Sequence, residues 1–206
     1  MPDVPFLHAV GLAAARDQRG LFRGLALDVA AGELWRVEGP NGSGKTTLLR
    51  ILCGLDQDFE GSIAFPRAQA AGHPWRADML YLGHLPGLKA ALTAVENLDW
   101  LCRQRGRPQQ VDAYQALARV GLRGCEDLPV SALSAGQRRR VALARLHIEQ
   151  APLWVLDEPF TAIDRAGVAG LESLLAAHAA NGGAAIITTH HELSIPVRSL
   201  VLGAAA

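Results

Sequence analysis

Lysine, cysteine and long apolar runs are all scarce in this chain of 206 residues. Its three cysteines are widely spaced and form no C-x-x-C pair. They match neither a disulfide scaffold nor a zinc site, and they favour a reducing compartment. The chain has no run of about 18 apolar residues and no basic N-terminal segment followed by an apolar core. We therefore expect no membrane-spanning helix and no signal peptide, so that any membrane association is peripheral.

Neither sign of charge is in excess, because 20 lysine and arginine residues balance 20 aspartate and glutamate residues. A broad nucleic-acid or charged-membrane surface normally needs a basic excess, so we expect no nucleic-acid partner. Half of the residues are hydrophobic and 19% are charged, which excludes disorder and allows a buried core. This length suits one domain, or one domain with a subdomain.

Short apolar runs alternate with helical periodicities along the chain. The predicted strands are Leu34–Glu38, Met79–Leu82, Leu153–Leu156 and Ala184–Thr188. The predicted helices are Lys45–Cys53, Thr93–Arg103, Gln110–Val120, Ser134–Glu149 and Asp164–Ala180. The last two strands are almost continuously apolar, which is typical of a parallel sheet buried on both faces. The pattern therefore predicts an α/β fold with a central parallel sheet.

Residues 84–148 contain three helical patterns and no convincing strand. We interpret them as a helical subdomain inserted between two halves of one α/β core, residues 1–83 and 149–206. Trp100 lies in this segment, where a core position is favoured over a place in a partner groove.

The strongest motif is Gly39-Pro-Asn-Gly-Ser-Gly-Lys-Thr46, which fits G-x-x-x-x-G-K-[ST] between a predicted strand and a predicted helix. Glycines let successive backbone N–H groups face phosphate oxygens, and the helix adds its N-terminal partial charge. Lys45 is expected to reach the β- and γ-phosphates of ATP, and the Thr46 hydroxyl is expected to bind Mg²⁺. The expected nucleotide-binding residues are Gly39, Pro40, Asn41, Gly42, Ser43, Gly44, Lys45, Thr46 and Thr47.

Two consecutive carboxylates end the apolar strand Leu153-Trp-Val-Leu-Asp157-Glu158. Asp157 is expected beside the phosphate-binding loop, where it would hold Mg²⁺ or its waters. Glu158 is one residue further along, so its side chain faces a different direction from that of Asp157 and can meet an attacking water instead of the metal. It is therefore the candidate general base. The alternative for Glu158 is a solvated carboxylate at a strand end.

A third motif is Leu133-Ser-Ala-Gly-Gln137, followed by three arginines and an apolar helical pattern. Ser134 is placed to cap this helix, which makes a second helix N-terminus able to meet an anion. One ATP molecule can contact both this helix N-terminus and the one after the phosphate-binding motif if two subunits face each other. The alternatives are an ordinary cap beside a flexible glycine and, for Arg138–Arg140, a solvated helix face.

These motifs, in this order over nearly the whole chain, resemble the ABC-type ATPases. The resemblance implies a P-loop NTPase (RecA-like) parallel-sheet core, antiparallel N-terminal β-strands and an α-helical subdomain. It also implies that the residues of the third motif close over the ATP of a second subunit, in a nucleotide-sandwich dimer. These trans residues are Ser134, Ala135, Gly136 and Gln137. Ala135 stands where the family more often has glycine.

The same resemblance suggests roles for three further positions. His190 would be the switch histidine that contacts the γ-phosphate, with His191 as the competing candidate. Asp164 would belong to a loop linking the two sites of the dimer, although it also suits a helix N-cap. Arg16 stands where the family carries an aromatic residue that stacks on adenine; its guanidinium could stack there, or it could simply be solvated.

His84 occupies the position where the family usually has a glutamine that senses the γ-phosphate and Mg²⁺ and moves the partner-facing surface. A neutral imidazole offers one donor and one acceptor, much as an amide does. His84 is therefore predicted to couple the site to the partner. The alternative is a loop histidine that fills space.

Within the family, four segments are similar to the haem-export branch that serves cytochrome c maturation. They are residues 82–89, 92–98, 133–146 and 153–164. This similarity implies an integral membrane permease as partner and a peripheral location on the cytoplasmic face of the bacterial inner membrane. None of the seven histidines follows a C-x-x-C pair, so we expect no direct haem binding.

Other functions are considered beside haem export. An ABC ATPase could drive transport of a different substrate. A soluble ABC-type ATPase of DNA repair or translation would need a coiled-coil insertion or two nucleotide-binding halves, and this chain has neither. A P-loop kinase would not need the Leu133–Gln137 motif, and an inactive binding module would be expected to have lost Lys45 or Glu158.

Overall fold

The computed structural model describes residues 4–17, 19–103 and 111–203. The described residues form two compact units. The first is drawn from Met1–Tyr81, Ala151–Glu158 and Leu174–Ala206, and the second from Leu82–Gln150 and Pro159–Ser173. The sequence pattern predicts residues 159–173 as part of the α/β core. They fall in the second unit because the turn before their helix contacts the start of the helix after Ser134, where Ala162 lies against Gly136.

Two sheets organise the first unit. An antiparallel sheet of order β2-β1-β4 contains β1 (Leu7–Arg16), β2 (Arg19–Val29) and β4 (Glu60–Ala64). A five-stranded sheet has the order β5-β6-β7-β3-β8. Its strands are β3 (Leu34–Glu38), β5 (Met79–Leu82), β6 (Leu153–Asp157), β7 (Ala184–Thr188) and β8 (Arg198–Val201). The pairs β3–β7, β3–β8 and β6–β7 are parallel.

This architecture confirms the predicted P-loop NTPase fold with its parallel core and antiparallel N-terminal strands. All residues of β6 and β7 are buried, as their continuous apolar runs predicted. Strand β8 was missed. Its residues Arg198-Ser-Leu-Val201 are mostly exposed and carry no clear period, so pairing with β3 makes this segment a strand.

Three helices are assigned around these strands. They are α1 (Lys45–Leu52), the short α2 (Pro66–Ala71) and α6 (Arg165–Ala180), which contributes to both units. Helix α1 buries Leu48, Leu49 and Leu52 in the same apolar cluster as Val37 of β3 and Val155 of β6. This packing anchors the segment between β3 and α1 at both of its ends, which matters because that segment is the phosphate-binding motif.

The second unit is helical. It contains α3 (Ala94–Arg103), α4 (Ala113–Arg119) and α5 (Ala135–Ile148), and a core that includes Leu98, Leu117 and Val141. Helix α4 begins later than predicted because the Asp112 carboxylate caps it by accepting from the Gln115 N–H, while Gln110 lies outside the described residues.

Trp100 was predicted as a core residue, and this is wrong, since the residue is 37% exposed. The Lys89 ammonium lies 3.7 Å from the centroid of its ring. This cation–π contact covers one face of the indole at the surface of the second unit.

Candidate functional site

The phosphate-binding motif forms the turn between β3 and α1. Gly42 and Gly44 have φ values of 79° and 96°, which L side chains rarely adopt. A β-carbon at Gly39 would lie 2.6 Å from the Leu202 carbonyl oxygen and 2.7 Å from Ser43 Oγ. These glycines therefore let the chain turn tightly enough for its backbone N–H groups to face an anion at the start of α1.

Lys45 is the first residue of α1, and its side chain folds back over this turn. The ammonium donates to the carbonyl oxygens of Gly39 at 2.7 Å and Pro40 at 3.1 Å. The positive charge is thus held at the mouth of the loop, where a phosphate would sit. A bound triphosphate would offer the ammonium stronger, charged acceptors than these two carbonyls.

Asp157 ends β6 and is 1% exposed. Its Oδ2 accepts a hydrogen bond from Thr46 Oγ1 at 2.9 Å, and its Oδ1 accepts one from Thr188 Oγ1 at 2.6 Å. Thr46 and Asp157 are 111 positions apart in the sequence, and the fold places one oxygen atom of each within 2.9 Å of the other. A hydroxyl and a carboxylate are ligands that Mg²⁺ accepts, so these two residues fit the predicted metal site.

Tyr81 lies on β5, within electrostatic reach of this carboxylate. Burial of its hydroxyl, with a further contribution from the Asp157 charge, raises the pKa of Tyr81 to about 12. Tyr81 therefore stays neutral at physiological pH and adds no negative charge near the carboxylate. No motif in the sequence pointed to Tyr81.

Glu158 follows Asp157 in a strained conformation, with φ of 50°. Its side chain is 18% exposed, and its Oε1 lies 3.6 Å from His190 Nε2. The structure thus brings the candidate base and the candidate switch histidine together, and the His190 side chain is 64% exposed. The neighbouring His191 donates its backbone N–H to Thr189 Oγ1 at 2.9 Å.

Ser134 caps α5 through a reciprocal capping box. Ser134 Oγ accepts from the Gln137 N–H at 3.1 Å, and Gln137 Oε1 accepts from the Ser134 N–H at 2.8 Å. A β-carbon at Gly136 would lie 2.6 Å from the Ala162 carbonyl oxygen, so the backbone approach there requires glycine. Ser134 and Ala135 are exposed, which leaves this helix start accessible within the second unit.

Asp164 precedes α6 and fulfils the N-cap expectation. Its Oδ1 accepts from the Gly167 N–H at 2.8 Å, and its Oδ2 accepts from Arg140 Nη2 at 2.8 Å. The Gly167 N–H, followed by the Arg140 charge, holds the pKa of Asp164 below its usual value. A cross-dimer role for Asp164 stays a prediction.

The solvated-face interpretation of Arg138–Arg140 is wrong for two of the three. Arg140 pairs with Asp164, and Arg139 is 5% exposed. Arg139 Nη1 donates to the carbonyl oxygens of Gly83 at 2.9 Å and His84 at 3.4 Å. The sequence did not show this burial because the charge triplet looks uniform, whereas helix geometry turns each side chain to a different side.

His84 itself is exposed in the second unit, on the loop whose backbone Arg139 holds. Arg16 ends β1 with a side chain that is 78% exposed and a loose contact of 3.9 Å between its Nε and Asp17 Oδ2. The adenine contact of Arg16 and the coupling role of His84 stay predictions.

Thr188 is a further residue of the site that was not predicted from the sequence. Its hydroxyl donates to the Asp157 carboxylate and accepts from the Glu158 backbone N–H. A signal was present, because a threonine ends a strand that is otherwise alanine and isoleucine. Buried hydroxyls are normally hydrogen-bonded, so this position implied a polar partner.

Comparison with known proteins agrees with the resemblance to ABC-type ATPases. The family model described as ABC transporter matches residues 22–161. The cytochrome c biogenesis ATP-binding export protein CcmA of Pseudomonas syringae pv. tomato is 53% identical over 94% of this chain and 92% of its own length. The protein of the same name from Hahella chejuensis is 50% identical over 98% of both chains.

A solved structure shares the fold. It is a dimeric ATP-binding cassette in a post-hydrolysis state bound to ADP and phosphate. Its TM-score is 0.79 and its identity 22%, over 95% of this chain and 94% of the solved one.

In residues 4–17, 19–103 and 111–203, none of the helices has the length and hydropathy needed to cross a lipid bilayer.

Proposed function

Because this chain belongs to the ABC transporter family, we propose that it is the ATP-hydrolysing subunit of a membrane export complex that serves haem export in cytochrome c maturation. The observation that carries the ATPase assignment is the Thr46–Asp157 hydrogen bond at the start of α1, beside the Lys45 ammonium. The export assignment is supported by relatives named as cytochrome c biogenesis export proteins that match almost end to end.

The residues of the first unit divide the chemistry of hydrolysis among themselves. The backbone N–H groups of the loop and the Lys45 ammonium bind the phosphates and offset charge that builds on them in the transition state. The Glu158 carboxylate orients the attacking water and accepts its proton. His190, 3.6 Å from that carboxylate, donates to the γ-phosphate.

Mg²⁺ would be held by Thr46 and Asp157, where it would neutralise phosphate charge during transfer. Asp157 is suited to this because its carboxylate is buried and oriented by hydroxyl donors on both oxygens. Thr46 supplies the neutral oxygen of the pair.

A second copy of the chain completes each site in this proposal. The capped start of α5 presents Ser134, Ala135, Gly136 and Gln137 in the second unit. Exposed backbone N–H groups at a helix start bind anions, so this surface suits the γ-phosphate of ATP held by the partner copy. The solved neighbour of the same fold is a dimer. Two copies would then enclose two ATP molecules.

An apolar groove in the second unit is the proposed permease-facing surface. The groove has a volume of about 480 Å³ and is lined by Leu92, Glu96, Asp99, Trp100 and Arg103. Leu85, earlier in the same unit, is 80% exposed. Exposed aromatic and aliphatic side chains ringed by charges are typical of protein interaction sites. The complex would place this chain on the cytoplasmic face of the bacterial inner membrane, as a peripheral subunit.

Isolation of the complex tests the export assignment. The tagged chain, expressed in its host cells, should co-purify with an integral membrane permease from detergent-solubilised membranes. Trp100→Glu puts a charge in the groove and should reduce this recovery about tenfold or more, the effect of losing an aromatic anchor. Leu55→Glu is the control for adding a carboxylate at an exposed apolar position, because Leu55 is 53% exposed and belongs to the first unit.

The readout in cells is the amount of haem-containing c-type cytochrome. Normal cytochrome levels in cells that lack the chain would contradict the haem-export role. Recovery of a permease together with that result would point to a different transported substrate.

His84 is predicted to couple nucleotide binding to the permease. His84→Ala should keep ATP affinity and lose cytochrome maturation, because the side chain that links the nucleotide to the partner-facing loop is gone. His84→Gln should keep most of the maturation, since an amide also carries a donor and an acceptor. The measurements are c-type cytochrome levels in cells and ATP binding by purified protein. Normal maturation with His84→Ala would leave His84 as a space-filling loop residue.

A further inference from the structure

Thr188 is the last residue of β7 and is fully buried. In the β6–β7 register it lies directly beside Asp157. Its hydroxyl donates to Asp157 Oδ1 at 2.6 Å and accepts from the Glu158 backbone N–H at 2.9 Å. The same N–H also lies 3.1 Å from the Thr188 carbonyl oxygen. One hydroxyl group therefore connects two consecutive acidic residues.

The first bond determines how the Asp157 carboxylate is oriented. A hydroxyl carries a single proton, and here that proton goes to Oδ1. Thr46 donates to Oδ2 from the start of α1. With a donor on each oxygen, rotation of the carboxylate about its terminal torsion would break both bonds. Thr188 thus keeps Oδ2 directed at Thr46, the second residue of the proposed metal pair.

The second bond acts on the backbone of Glu158. This residue has φ of 50°, in the left-handed region that non-glycine residues avoid. Such a conformation persists when surrounding contacts hold it. Here the Glu158 N–H is held by Thr188, through both the hydroxyl and the carbonyl oxygen. The direction in which the Glu158 side chain leaves the strand follows from this held backbone.

We propose that Thr188 is a positioning residue for ATP hydrolysis, which orients the Asp157 carboxylate toward the metal and holds Glu158 in the conformation that presents its carboxylate to water. The proposal rests on the proposed ATPase function. Valine has nearly the same shape and would pack in β7 equally well, but it can make neither side-chain bond. The hydroxyl, and not the packing, is therefore the part of Thr188 that acts.

The experiment compares variants of the full-length chain. Thr188→Val should lower ATP turnover in the permease complex by about 10- to 100-fold, the usual effect of losing a group that orients a metal ligand. Thr188→Ser keeps the hydroxyl and should restore turnover to near the wild-type rate. Ile187→Val, one residue earlier in β7, is the control for altered packing in the same buried strand.

A second readout does not depend on turnover. Equilibrium binding of a fluorescent ATP analogue is measured with Mg²⁺ and, separately, with EDTA. Thr188→Val should weaken binding about tenfold or more with Mg²⁺ and leave binding in EDTA unchanged, because the phosphate loop itself is intact. If Thr188→Val does not fold, Thr188→Ala and Thr188→Ser form the decisive pair, since they differ by one hydroxyl.

Two results would overturn the proposal. One is wild-type turnover and Mg²⁺-dependent binding in the valine or alanine variant. The other is a serine variant as impaired as the alanine variant, which would assign the effect to packing. Failure of the proposed function is a separate result, because the unaltered chain would then show neither Mg²⁺-dependent ATP binding nor hydrolysis in the complex.

Discussion

Glu158→Gln is expected to bind MgATP normally and to hydrolyse it roughly 10²–10³-fold more slowly, the scale for removing one positioned catalytic group. The amide has nearly the same shape as the carboxylate but cannot accept a proton from water. The substitution leaves the backbone bonds from Glu158 to Thr188 in place, so the strained conformation at φ of 50° should persist. Loss of hydrolysis would then report the carboxylate alone.

The measurements are steady-state phosphate release by the permease complex and equilibrium binding of ATP to the purified chain. Glu60→Gln, an exposed carboxylate on β4, is the matched control and should hydrolyse ATP normally. Hydrolysis by Glu158→Gln at the wild-type rate would falsify the assignment of the base and leave Glu158 as a solvated carboxylate.

The same variant tests the dimer. Because it binds ATP without consuming it, light scattering should show a dimer in MgATP and a monomer in MgADP. Gly136→Asp would not test closure cleanly, because any β-carbon there meets the Ala162 carbonyl oxygen at 2.6 Å within the same chain. Ala135→Arg is the sharper choice, because Ala135 is exposed and its substitution leaves the Ser134–Gln137 capping box in place. The double variant, which combines Glu158→Gln with Ala135→Arg, should stay monomeric in MgATP.

Lys45→Ala is expected to weaken ATP binding by about 10- to 100-fold. This loss corresponds to about 1.5–3 kcal/mol, the usual contribution of a hydrogen bond to a charged group. Lys45 donates to two carbonyl oxygens of the loop, at 2.7 and 3.1 Å, so its ammonium already lies where phosphates would bind. Alanine removes that charge and leaves the helix start as the remaining anion-binding feature. Affinity should fall without being abolished.

Titration with a fluorescent ATP analogue measures this effect. Lys45→Arg tests the geometry, because it keeps the charge but replaces the compact ammonium by a planar guanidinium, and it should bind ATP with intermediate affinity. Arg123→Ala, which removes an exposed cation of the second unit, is the control for net charge. Unchanged affinity in Lys45→Ala would mean that the loop does not bind the triphosphate in the proposed way.

The sequence was sufficient for the features that depend on neighbouring residues. The segment from Gly39 to Thr46 is recognisable because a strand, a turn that needs glycine and a helix start follow one another within a few residues. The Ser134–Gln137 capping box is equally local, and the structure shows both of its hydrogen bonds. The buried strands β6 and β7 were predictable from their apolar runs, since burial on both faces excludes polar side chains.

Tertiary structure decided which distant residues meet. Thr46 and Asp157 are 111 positions apart, and they meet because α1 packs against β6 in one apolar cluster. Arg139 is buried although its neighbours in the chain are arginines, because only its side chain turns toward the carbonyl of Gly83. Thr188 reaches Asp157 through the register of two parallel strands. Hydrogen bonds of this kind depend on directions and distances in space, which a residue pattern along the chain does not encode.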